Sequence, residues 1–140
     1  MPMSKKLPLP EKPDIEELVD FLPRLYAPGF TAIDRWRGGT TNEAGVITIS
    51  WPEYNETVKA FFRSASKECW TDFEYDPAIA GPRVRDPAYI RTASLAHLQT
   101  LITFCVRGER FCDGFWAGTI EEGHIKNILE RLKELLNVIK

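Results

Sequence analysis

The sequence predicts a mainly α, single-domain fold of about five helices, with a short β-hairpin near residues 30–51. Apolar residues recur at i, i+3, i+4 and i+7 in several stretches, which is the signature of helices with one buried face. Strict alternation is confined to Ile47, Ile49 and Trp51 against Thr48 and Ser50, too little for more than a hairpin. A chain of 140 residues, 44% hydrophobic and 27% charged, can bury one core without metals or disulfides, and no repeat or low-complexity tract divides it.

Met1 to Pro13 carries Pro2, Pro8, Pro10 and Pro13 beside Lys5, Lys6 and Lys12, which predicts an extended, mobile arm ahead of a helical domain over 14–140. Asp14 is placed to N-cap a first helix whose apolar face is Ile15, Leu18, Val19, Leu22, Leu25 and Tyr26. Pro23 removes an amide donor and disfavours helix at Leu22, so a kink or break is expected there. After Pro28-Gly29, Phe30–Trp36 and Val46–Trp51 read as the two strands of the hairpin. Pro52 suits the first turn of a second helix that carries Tyr54, Val58, Phe61, Phe62 and Ala65 as far as Lys67.

From Trp70 to Pro87 the punctuation by Pro77, Gly81, Pro82 and Pro87 predicts a loop, and its first part, Trp70 to Asp76, interleaves aromatic and acidic side chains. Ser94 caps a third helix with Leu95, Leu98, Leu101, Ile102, Cys105 and Val106 on one face. A fourth helix is expected between Asp113, as its cap, and Gly123, as its stop. The last helix places Ile125, Ile128, Leu129, Leu132, Leu135, Leu136 and Ile139 on one face and Lys126, Glu130, Lys133 and Glu134 on the other. That apolar face suits either the domain's own core or the seam of a homodimer.

A net charge of −2 and a pI near 5.7 argue against a general nucleic-acid or anionic-membrane binder, which needs a basic surplus. No apolar run has membrane-spanning or signal-peptide length. Cys69, Cys105 and Cys112 form no CxxC pair, and an odd number cannot all pair internally, which fits a reducing compartment and a cytoplasmic location. On one continuous helix Cys105 and Cys112 stand roughly 10 Å apart, beyond disulfide reach. The spacings of the cysteines with His97 and His124 match no structural-zinc pattern, so neither a metal nor a cofactor is expected.

At about 100° per residue, Gln99, Thr103, Arg107 and Arg110 form a polar strip beside the apolar face of the third helix. Two guanidinium groups on such a strip can grip a carboxylate or phosphate, or pair internally with Glu109, Asp113 or a helix C-terminus. Asp113 is explained by capping, Cys112 by packing as a small hydrophobe, His97 by a hydrogen-bonded core position, and His124 by a solvated one. Trp36, Trp51, Trp70, Phe73, Tyr75 and Trp116 either wall a pocket or fill the core, with core filling the simpler account.

The run Leu101 to Gly114, LITFCVRGERFCDG, followed by Gly123 and Leu129-Glu-Arg-Leu132, closely resembles the C-terminal core of an uncharacterised family, domain of unknown function 6508. Tyr54–Phe62, the Trp70–Tyr75 loop and the Pro28-Gly29-Phe30 turn are similar to its weaker landmarks, so the resemblance covers most of the chain after Asp14. It implies a single helical domain and brings no activity with it. Family members often place His after the Gly of Arg-Phe-Cys-Asp-Gly, where this chain has Phe115.

The functional expectation is a binding or protein-interaction module. In it Arg107 and Arg110, with Thr103, Asp113 and Trp116 nearby, receive a small anionic ligand or a protein partner. The alternative is a small hydrolase or transferase using Asp113, Glu109 or Cys112 with arginine support. A purely structural subunit of a larger complex is the third class.

Overall fold

The computed structural model describes residues 9–47 and 49–138. Helix α1 (Lys12–Val19) starts earlier than predicted, with Glu11 as N-cap and Pro13 in the first turn. Asp14 stands in that turn and reaches back, its carboxylate accepting from the Glu11 amide at 2.9 Å. Pro10 is buried and Lys12 and Pro13 are helical, so this end of the expected arm is corrected; its residues 1–8 lie outside the described residues. The break demanded by Pro23 is present: α1 stops at Val19 and a single turn, α2 (Leu22–Leu25), follows.

The hairpin exists but is shifted. Strands β1 (Ile33–Arg37) and β2 (Trp51–Tyr54) run antiparallel, pairing Arg35 with Glu53, Trp36 with Pro52 and Arg37 with Trp51. The alternating Ile47 and Ile49 lie mostly outside it, Ile47 making one isolated bridge to Thr41 and both staying exposed. Alternation had nothing to bury against there. Pro52 lies within β2, where a two-stranded sheet consists only of edges and tolerates a missing donor. Gly38 (φ +78°) marks a close crossing, because a Cβ on it would stand 2.4 Å from the Ile49 carbonyl oxygen. Glu53 is bonded by Arg37 and Arg35, which hold its carboxyl down at about 2.

Helix α3 (Glu56–Ala65) begins at Asn55, whose side chain accepts from the Thr57 amide at 2.7 Å, so the second helix starts later than Pro52. A 3-10 turn over Glu68–Trp70 buries the Trp70 ring. The predicted loop from Trp70 to Pro87 is corrected by α4 (Pro77–Val84) and by α5 (Pro87–Arg91), which starts at its end. Both prolines stand at the helix start behind a capping aspartate: Asp76 accepts from the Ala78 amide, Asp86 from those of Ala88 and Tyr89. Proline is favoured there because its missing N–H would be unpaired anyway.

Helix α6 (Leu95–Arg107) begins at Ser94 as predicted, with Ser94 Oγ accepting from the His97 amide at 3.2 Å. A 3-10 turn, Gly108–Arg110, extends it. Then come α7 (Phe115–Glu121) and α8 (His124–Val138), separated by Gly123 at φ +86°. The Tyr26 hydroxyl locks that corner, donating to the Ile120 carbonyl and accepting from the Lys126 amide, each at 2.9 Å.

The chain is thus mainly helical with one short hairpin. α8 packs on α1, α5, α6 and α7, and its Ile125, Ile128, Leu129 and Leu132 are fully buried in the domain's own core. Burial at about 1.5–3 kcal/mol per large aliphatic side chain accounts for that face. Of the residues expected at a dimer seam, Ile125, Leu129 and Leu132 are buried in this core, Leu136 is half-buried against it, and Ile139 lies outside the described residues. No helix among the described residues is long and apolar enough to cross a membrane.

Candidate functional site

The polar strip of α6 and the aromatic, acidic loop are one structure. Gln99 Nε2 donates to the Cys69 carbonyl at 2.9 Å, and the buried Thr103 hydroxyl reaches the Trp70 carbonyl at 3.1 Å while accepting from the Asp72 amide at 2.8 Å. Thr100 Oγ1 adds a 2.6 Å bond to the Asp72 carboxylate, which also accepts from the Glu74 amide at 2.9 Å. Residues 69–74 are thereby laced along α6, and the aromatics that follow come to the end of the strip.

Arg107, in the last turn of α6, lies 5.1 Å from the Tyr75 ring centre and 5.8 Å from that of Phe73. A planar cation held over two rings is attracted by their quadrupoles and is fixed in place without spending its charge on a carboxylate. Arg110 is exposed on the following 3-10 turn. Both line a cleft of about 390 Å³ with Ser66, Glu68, Thr71 and Phe73, and Thr103 lies in its wall. Among the described residues neither arginine forms a salt bridge, so the internal pairing with Glu109 or Asp113 is not made.

Glu109, between the two arginines in sequence, is turned inward. Its carboxylate accepts from the Tyr54 hydroxyl at 2.6 Å and from the Gly114 and Trp116 amides, each at 2.9 Å. These bonds close the start of α7, which the sequence assigned to Asp113; the N-cap is Gly114 at φ +88° and Asp113 makes no capping bond. Gly114 takes that backbone shape because it has no Cβ, and the Trp36 ring comes close enough that an added Cβ would stand 3.3 Å from it. Burial, reinforced by the Glu109 bond and charge, raises the Tyr54 phenol well above the usual tyrosine range.

Trp116 is an internal prop. Its ring stacks on Phe62 at 4.4 Å between centres and its Nε1 donates to the Val106 carbonyl at 2.9 Å. The Phe115 ring lies close against Gly108, where a Cβ would stand 2.1 Å from it, and edge-on to Phe104, with 5.6 Å between ring centres.

Cys112 and Asp113 open onto a different cleft, of about 300 Å³, shared with Arg85, Phe115, Glu122 and His124. The three groups of the enzyme alternative are not assembled with the arginines. Cys112 is exposed rather than packed, whereas Cys105 is fully buried and its thiol is pushed up to about 12. His97 is exposed beside Tyr89, and His124 is largely covered, its Nε2 3.0 Å from Glu122 Oε2, so both histidines reverse their expected settings. The aromatics divide: Trp70 is core, Trp116 half-buried, and Trp36, Trp51 and Phe73 are exposed, with Trp36 and Phe73 lining separate clefts. Among the described residues no cluster of His, Cys, Asp and Glu is arranged to hold a metal.

The sequence names Phe73, Tyr75 and Glu109 but not the roles they take, the two rings as supports for Arg107 and the carboxylate as the inward anchor. The available signal was the pair Gln99 and Thr103, polar groups on a buried helix flank that need partners.

Fold and cleft together define a mainly helical domain with a cationic, partly aromatic surface cleft. The chain belongs to the family of unknown function DUF6508, which it matches over residues 10–138. No curated protein and no solved structure matches it significantly.

Proposed function

We propose that this domain is a binding module whose Arg107–Arg110 cleft receives a carboxylate or phosphate group. The observation that carries this reading is the arginine pair itself: both guanidinium groups line one open cleft, without a salt-bridge partner among the described residues. Arginine presents a planar fork of donors that matches either anion. Glu68 is the one carboxylate in the lining, so the cleft keeps a positive balance. Thr103 and Trp116 contribute by holding the loop and the end of α6. Three free thiols suit a reducing compartment, and we place the protein in the cytoplasm.

The test is calorimetric titration of the full chain with inorganic phosphate and with acetate, on the wild type, Arg107→Gln and Arg110→Gln. Hydrogen bonds to charged groups contribute about 1.5–3 kcal/mol, so each variant should lose roughly tenfold or more in affinity. Arg107→Lys keeps the charge but loses the fork, and it should fall between. Equal affinity in wild type and both Gln variants sinks the reading, as does the absence of binding by either anion.

A further inference from the structure

We propose that the anion received by this cleft is carried on a planar aromatic ring, which stacks on Phe73 beside the Arg107 guanidinium. The inference rests on the anion-binding reading and adds the class of ligand. Phe73 lines the same cleft as both arginines, yet 61% of its surface is in water. A phenylalanine on a slack loop would fold back onto the core, since burying its ring is favourable. Here the backbone on either side of it is pinned: the Asp72 amide is bonded to Thr103 Oγ1 at 2.8 Å, the Asp72 carboxylate to Thr100 at 2.6 Å, and the Glu74 amide to that carboxylate at 2.9 Å. Arg107 sits against the neighbouring Tyr75 ring at 5.1 Å. The loop itself cannot carry the Phe73 ring inward without breaking these bonds.

What is held in place is a flat apolar face next to a flat cation, with a second arginine on the rim. Aromatic rings stack on both kinds of surface, and the anion they carry pairs with the guanidinium groups. A cleft of about 390 Å³ falls within the range of small-molecule sites, roughly 300–1,000 Å³. Ala65 and Val106 add apolar wall for the ring edge. The shared ligand chemistry is an aryl phosphate or aromatic carboxylate, free or as a phosphotyrosine in a peptide.

The experiment titrates the full chain with methyl phosphate, phenyl phosphate and a phosphotyrosine peptide, on wild type, Phe73→Ala and Phe73→Tyr. Base–aromatic stacking, at about 1–3 kcal/mol, converts to a preference of roughly tenfold for phenyl over methyl phosphate on the wild type. Phe73→Ala should abolish that preference and Phe73→Tyr should retain it. A peptide that binds tighter than phenyl phosphate supports the chain-borne source, and one that binds no tighter supports the free ligand. Equal affinities for phenyl and methyl phosphate on the wild type, or a preference that survives Phe73→Ala, overturns the ring and leaves the anion reading standing. If neither phosphate binds, the aryl phosphate falls, and where acetate and benzoate also fail to bind, the anion reading falls with it.

Discussion

Removing the Glu109 carboxylate tests whether the arginine turn is fixed from inside. Three donors converge on it, the Tyr54 hydroxyl and Trp116 amide on Oε1 and the Gly114 amide on Oε2. In Glu109→Gln the carbonyl oxygen can take the Oε1 position and keep two of them. The new NH₂ group then faces the Gly114 N–H, donor against donor. One charge-assisted bond is lost and one amide is left without a partner, for about 1–3 kcal/mol. Glu109→Ala leaves all three donors unpaired, and at slightly more than 1 kcal/mol each the total is about 3–4 kcal/mol. A domain stable by 5–15 kcal/mol, roughly, still folds after that loss. Urea denaturation reads both values from the midpoint at unchanged m. A Glu109→Gln variant within about 0.5 kcal/mol of wild type, or one as damaged as Glu109→Ala, would refute the three-donor assignment.

Two further outcomes follow from packing and from titration. A Cβ on Gly108 would stand 2.1 Å from the Phe115 ring, whereas one on Gly118 meets nothing within 4 Å. Gly108→Ala should therefore cost about 1–3 kcal/mol by overpacking, and Gly118→Ala, inside α7, should be neutral or stabilise by about 0.5–1 kcal/mol; thermal unfolding of both variants separates them. Burial raises the phenols of Tyr26 and Tyr54 far above the ordinary value of 10.0, so the folded chain keeps protons that the unfolded chain releases. Their contribution is complete below pH 10 and is lost as pH rises beyond it, so stability should fall more steeply above pH 10 in wild type than in Tyr54→Phe, measured by denaturation from pH 8 to 11.5.

The helices were legible where one face is apolar over several turns. α6 and α8 came out nearly at their true ends, because their burial in the core is the cause of their periodicity. α4 was illegible by the same rule. Its Gly81 and Pro82 read as punctuation, yet both lie inside a helix of two turns, which tolerates Pro82. The repeated Asp-Pro at 76–77 and 86–87 was the better signal, a capping carboxylate followed by a residue preorganised for the first helical turn. In the hairpin the alternation of Ile47 and Ile49 misplaced the second strand, because pairing there is set by Trp36 against Pro52 and Arg37 against Trp51.

The site was half legible for a related reason. Arg107 and Arg110 follow from angular position along α6, which a sequence displays. Glu109 does not, since its partners are set by a turn and by a tyrosine 55 residues away in the chain. That hidden bond also explains why the arginines stay open. Glu109 is the carboxylate nearest to both in sequence, and on an ordinary turn it would neutralise one of them. Here the Tyr54 hydroxyl and two amides at the start of α7 claim both its oxygens, drawing its charge inward. The same bonds that seat the turn therefore leave Arg107 and Arg110 without a salt-bridge partner among the described residues, and structural anchoring and cationic surface arise from one arrangement of adjacent residues.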